Sequence, residues 1–542
     1  MALSLTAEQK TIFEMFSGKD QYVIPPYQRA YSWGQDQCME LFEDLKKAYN
    51  ENKSEGYFLG NIVLARSRVE KNNLEVVDGQ QRLTTLTLLM QVLLYFDDEN
   101  RDLTDAITIP EGRRGSGKER KRLKTNVFIE KDAKYLEESL SLVFSENRVN
   151  SLDNRFKKNI YYFYDVVNEF SQENDVHDFV DFFLSDVSLL PIQTEDEDPD
   201  KAREKALKIF ETINNRGLPL SDSDIFKARL YAMALNMGKQ DDFIAEWKRL
   251  DEEAQAIKQS INDIFRVYSQ VVRGKEGVKT NEIGLREFFT QSEISPFKTT
   301  LYNEILRDLF KVVQTIRFFL TVIEDPGEYN ELTKWFQLIH EYTNQYPRNT
   351  LLVYLYRNGL VNDGALVDFS KNLVRFSYFQ GSAASRIKSH IYDLIVRVTK
   401  GTHNEFNFSS DKVSIDDLMY FGMLKKAFSL LVLYLEPNQG AVYPYSFHKI
   451  VHPRDAKLLD DSWKGKDFKE YVDTLGNMFV LDFDMLRDTS LDRKRRLLQK
   501  SLINGNKEIL ENLDSWTFEV YQKRQAALQD KLRLFFEKPN ED

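Results

Sequence analysis

Asp78-Gly79-Gln80-Gln81-Arg82 puts a carboxylate, a glycine, two amides and a guanidinium in consecutive positions, between the apolar runs Leu74 to Val77 and Leu83 to Phe96. The first run has the length of a buried strand and the second that of a helix, so the five residues fall where a strand feeds a helix. Backbone N–H groups and the helix dipole favour an anion there. Gly79 permits a sharp turn and a close approach to a ligand. Arg82 offers a planar fork for two phosphate oxygens. Asp78 has the chemistry to hold a magnesium ion or orient a water, and Gln80 and Gln81 can hydrogen-bond a base, a ribose or a water without adding charge. The competing reading is a polar turn capping a buried helix, with Arg82 in a structural ion pair.

Three further motifs accompany this segment. Upstream stand Ile24-Pro25-Pro26-Tyr27-Gln28-Arg29-Ala30-Tyr31-Ser32-Trp33 and Tyr57-Phe58-Leu59-Gly60-Asn61-Ile62-Val63, and downstream stands Phe210-Glu211-Thr212-Ile213-Asn214-Asn215-Arg216-Gly217. In this order they resemble the N-terminal domain of the GmrSD and SspE family of modification-dependent restriction proteins, over about the first 235 residues. The resemblance implies a ParB-like or sulfiredoxin-like α/β core that binds and hydrolyses a nucleoside triphosphate, GTP or ATP, with magnesium or another divalent cation. It assigns Asp78, Gln81 and Arg82 to catalysis, and Gln28, Arg29, Gly79, Gln80, Asn215 and Arg216 to the nucleotide. Tyr27, with Gln28 and Arg29, is tied to sensing modified DNA or to the same pocket. For Tyr31 and Trp33 the alternative to base stacking is core packing.

At 542 residues the chain exceeds a single typical core, and 42% hydrophobic content is ample for burial. The expected class is α+β, predominantly helical, divided at 1–235, 236–430 and 431–542. A single cysteine, Cys38, excludes an intramolecular disulfide framework and fits a reducing cytoplasm. No apolar stretch is long enough to span a bilayer, so no membrane role is expected. The net charge of −11 opposes indiscriminate coating of DNA, which leaves local basic patches as the candidates. Arg113, Arg114, Lys121 and Arg122 form one; a solvated surface is the plain alternative. Gly112 to Lys118 within it has the glycine and lysine spacing of a P-loop, but Glu119 stands where a hydroxyl should reach magnesium, which argues for a basic insertion instead. The acidic run Glu195 to Asp200 reads as a loop.

Tyr445 to Pro453 and Tyr471 to Leu481 resemble the HNH-type ββα-metal nuclease domain that accompanies this N-terminal domain in the family. That resemblance implies His448 or His452 as the activating base, His448 as a metal ligand and Asn477 as the orienting amide. Lys449 departs from the paired histidine usual in the family and joins the candidate DNA contacts. Two functions remain open on the sequence. One is an NTP-regulated endonuclease or nickase acting on foreign, modified DNA in anti-phage defence. The other is a nucleotide-dependent DNA sensor with an inactive nuclease domain, acting as a homo-oligomer or with a partner subunit.

Overall fold

The computed structural model describes residues 5–51, 55–67, 72–111, 118–127, 131–142, 144, 154–199, 201–203, 205–206, 209, 221–280, 282–379, 384–402, 425–452, 459, 461–483 and 491–537. They divide into two compact units, Met1–Trp247 and Lys248–Asp542.

The first unit is built on a seven-stranded mixed sheet. Its strands are β1 (Leu5–Ala7), β2 (Lys10–Thr11), β3 (Gln21–Ile24), β4 (Tyr57–Ser67), β5 (Asn73–Asp78), β8 (Leu123–Thr125) and β9 (Val187–Asp196), in the order β1-β9-β4-β5-β3-β8 with β2 also on β9. A separate pair, β6 (Thr108–Glu111) and β7 (Lys118–Lys121), is antiparallel. The basic segment is thus anchored at both ends by a hairpin. The acidic run begins in a strand, because Glu195 and Asp196 continue the register of β9 against Arg66 and Ser67 of β4.

Side-chain alternation along the central strands explains the layering. Ile62, Leu64, Leu74 and Val76 enter a large core with Leu83, Leu86, Leu89 and Phe163, while Val63, Ala65 and Val77 turn the other way, onto Ala202 and Ala206. Helix α3 (Gln80–Phe96) buries residues around its whole circumference, the pattern of a central helix rather than a surface one. Around that core lie α1 (Ile12–Phe16), α2 (Gln35–Glu51), α4 (Arg101–Ile107), α5 (Asp132–Ser139), α6 (Arg155–Phe170) and α7 (Val176–Ser185). Asn154 and Asp175 cap α6 and α7.

The second unit is mainly helical. It also carries one antiparallel pair, β10 (Ser446–Lys449) with β11 (Met478–Leu481), followed by the helix Leu491–Lys500. No described helix of either unit is long and apolar enough to cross a membrane.

Candidate nucleotide site

Three neighbouring strands, β5, β3 and β8, run parallel. Their carboxyl ends, Asp78, Ile24 and Thr125, therefore lie along one edge of the sheet, where open α/β sheets take their ligands. β3 continues there into Pro25 to Arg29, and β5 into Gly79 and the first turn of α3.

Gly79 is the N-terminal cap of α3 and sits in the left-handed region at φ 89°. A Cβ at this position would come within 2.4 Å of Ile62 Cγ2. Strain and clash act together, so Gly79→Ala is expected to cost on the order of 2 kcal/mol or more, read as a drop in the denaturant midpoint. An unchanged midpoint would mean that the turn relaxes freely.

The Asp78 carboxylate accepts the Gly79 N–H and lies in the fields of Arg82 and Arg29; burial raises its pKa and these three partners oppose the rise. Arg82 donates from Nη1 to the Asn61 carbonyl at 2.8 Å and rests against Gly60. Asp78 is thus a desolvated carboxylate between two guanidinium groups at a helix start. It suits a magnesium ion carried in on phosphates, since that ion keeps much of its water and needs few protein ligands. Among the described residues, no group of three or more His, Cys, Asp or Glu side chains is placed to hold a metal by itself.

Other candidates serve the scaffold of this edge. Gln81 is 6% exposed; its Oε1 accepts the Ser32 and Trp33 N–H groups at 2.7 and 3.1 Å, and its Nε2 donates to the Ala30 carbonyl. Gln28 donates to the Val77 carbonyl at 2.7 Å. These amides bind the segment after β3 onto β5 and α3. Tyr31 resolves toward core packing, stacked on Phe156 at 4.8 Å with its hydroxyl against Thr85. The buried Asn159 amide donates to both the Tyr31 hydroxyl and the Trp33 carbonyl.

Arg29, Tyr31, Gln80, Thr84, Thr125 and Asp132 line one narrow pocket at the strand ends. Asp132 is a second carboxylate that no motif announces. It opens α5, accepts the Tyr31 N–H, and is raised in pKa by burial. A lone aspartate at a helix start reads as a cap, and its proximity to Arg29 arises only from the fold.

Tyr27 lies elsewhere. Its hydroxyl donates to Glu75, whose other oxygen accepts from Arg203 Nη2 at 2.6 Å, and its ring packs on Tyr231. Glu75 shares the strand face of Val77, opposite the main core, so Tyr27 and Arg203 tie the segment after β3 to the helices on that second face. Sequence reading missed Glu75 and Arg203, which are 128 residues apart.

Of the basic candidates, Arg113 and Arg114 lie outside the described residues, as do Asn215 and Arg216. Arg122 is 2% exposed, and its guanidinium donates to the carbonyls of Asp105, Gly18 and Asp20. That places it inside the fold as a staple rather than at a surface facing phosphate. Lys121 reaches the Leu140 carbonyl at 3.1 Å from the wall of an open cleft.

In the second unit, His448 pairs with Phe479 across β10 and β11, and its Nε2 lies 2.8 Å from Ser446 Oγ. Burial and the Lys494 charge push its pKa down to about 4. Lys494, on the following helix, is 2% exposed and donates to the Ile450 carbonyl at 3.2 Å. A buried ammonium whose charge is felt at the imidazole disfavours a second cation beside it. Asn477 is 1% exposed and committed to the backbone, donating to the Val451 and Val472 carbonyls and accepting the Val451 N–H. Lys449 pairs with Asp473 at 2.9 Å, and Asp482 binds Ser501 and the Leu502 N–H. His452 is half-buried, at the edge of the described residues. The described residues therefore bring His448 together with a lysine, and give Asn477 a structural task.

No curated protein matches the chain. Residues 12–231 match the family described as GmrSD restriction endonuclease, N-terminal domain, a span that holds the whole strand-end edge from β3 to β9. This stretch of the chain is thus similar to the GmrSD restriction endonuclease N-terminal domain family.

Proposed function

We propose that this chain is a restriction-type defence protein whose N-terminal domain binds and hydrolyses a nucleoside triphosphate, GTP or ATP, and thereby regulates action on foreign, modified DNA. The observation that carries the nucleotide reading is the convergence of Asp78, Arg29, Arg82 and the start of α3 at the carboxyl ends of three strands. In this reading the sheet is a ParB-like or sulfiredoxin-like core. Arg29 and Arg82 neutralise phosphate charge, the first N–H groups of α3 point at it, and Asp78 orients the attacking water or holds magnesium. Asn215 and Arg216 are carried as further nucleotide contacts on the family resemblance.

The family description supports DNA as substrate and cutting as the output. In the first form of the proposal the chain cuts DNA itself through an HNH-like ββα region, with His448 or His452 as base. The buried Lys494 beside His448 favours a second form, in which this region binds DNA or a partner subunit and another chain cuts. A panel of modified and unmodified phage DNAs, incubated with purified protein, divalent metal and NTP, separates the two. Cutting that is lost in His448→Ala or His452→Ala supports the first form; nucleotide turnover and DNA binding without cutting support the second. Absence of both turnover and DNA binding would sink the proposal.

A further inference from the structure

The strand-end pocket has about 10 Å³ of free volume, room for a single water, and cannot hold a nucleotide. Beside it lies a cleft of about 620 Å³ between the edge strand β8, the hairpin strand β7 and helix α5. The two share Thr125 and Leu136 in their walls, so the cleft opens directly off the strand ends. Its volume falls in the range of small-molecule sites. Leu123, Leu136 and Leu140 are the main apolar part of its lining, and most of the rest is polar or charged, Glu119, Lys121, Lys124 and Glu137 included. Three leucines beside charged and amide side chains offer a planar heterocycle both apolar contact and hydrogen-bonding partners. Burial lowers the pKa of Lys121 against the opposing pull of Glu119 and Glu137, which marks this wall as partly desolvated.

We infer that this cleft is the base and sugar site of a nucleotide whose phosphates lie at Asp78, Arg29 and Arg82. The inference rests on the proposed nucleotide reading of the strand ends and gives it a direction. Arg29 and Asp132 line the narrow pocket, Thr125 and Leu136 stand at the junction, and Leu123 and Leu140 line the cleft. Triphosphate, sugar and base follow in that order. Asp132 is positioned beside the sugar, where a carboxylate accepts from a ribose hydroxyl.

Ala133 and Lys124 line the cleft from exposed positions, so substitutions there leave the core alone. Binding of GTP, ATP and inorganic tripolyphosphate to the full chain is measured by calorimetry for the wild type, Ala133→Trp, Lys124→Glu and Arg82→Ala. Ala133→Trp, which fills the cleft, is expected to weaken GTP and ATP at least about tenfold and to leave tripolyphosphate unchanged, whereas Arg82→Ala weakens all three. Nucleotide affinities unchanged in both cleft variants but lost in Arg82→Ala would overturn the cleft assignment and leave the phosphate site standing. Loss of tripolyphosphate in Ala133→Trp would also overturn it, since the substitution would then be acting on the strand ends. If the wild type binds none of the three, the nucleotide reading itself fails and the inference falls with it. A short single-stranded oligodeoxynucleotide supplies the last arm: binding lost in Ala133→Trp while GTP and ATP stay bound reassigns the cleft to a DNA strand.

Discussion

Asp78→Ala is expected to lower NTP turnover about a hundredfold or more while leaving the melting transition close to that of the wild type. The carboxylate's hydrogen bond to the Gly79 N–H closes its own turn, and its ties to Arg82 and Arg29 are through charge. Its removal therefore takes away chemistry without loosening the sheet. Phosphate release with purified protein and magnesium measures the loss, and wild-type turnover in the variant would end the assignment. A pH profile sharpens the test. Because burial raises the Asp78 pKa, the anion is lost at a higher pH than for an exposed aspartate, so turnover falls on the acid side of the profile. Asp78→Asn preserves the turn but carries no charge at any pH, and its residual activity should lack that acid limb.

The second large effect is on stability. Arg122→Ala is expected to destabilise the first unit by about 3 kcal/mol or more, because it strips the donor from several carbonyls inside the fold. Gly18 and Asp20 lie in the loop between α1 and β3 and Asp105 in α4, so two segments distant in the chain converge on this one guanidinium. Arg122→Lys should recover little, since an ammonium cannot fork to carbonyls in a plane. Urea unfolding gives the measurement. A normal midpoint together with weakened DNA binding would instead return Arg122 to the set of phosphate contacts.

The contrast between Asp78 and Arg122 shows what this sequence makes legible. The strand, the turn and the helix around Asp78 follow from local apolar period and one glycine, and the structure places β5 and α3 where those signals put them. The caps at Asn154 and Asp175 are equally local. Pairings across a hundred residues have no local signature. Arg122 reads as one more member of a basic run until residues 17–20 and 105–108 close around it. Asp132 opens a helix, and only the packing of α5 beside β8 brings it to the strand ends. Gln81 reads as a ligand-facing amide, yet its side chain is engaged by the backbone of residues 30–33. In the second unit the resemblance to an HNH-type domain implies roles for His448 and Asn477, and only packing reveals Lys494 beside one and the backbone around the other.

Strand β9 sets the timetable on which this domain can assemble. It is the common neighbour of β1, β2 and β4, and it arrives only with residues 187–196. Until then the long strand β4 carries an open flank, and the opening residues of the chain have nothing to pair with. At ordinary ribosomal speeds of about 5–20 residues per second, β4 waits roughly six to twenty-six seconds in that state. A chain stalled or cleaved before β9 would therefore display the open flank of β4, a strand paired with β5 alone, to chaperones and proteases.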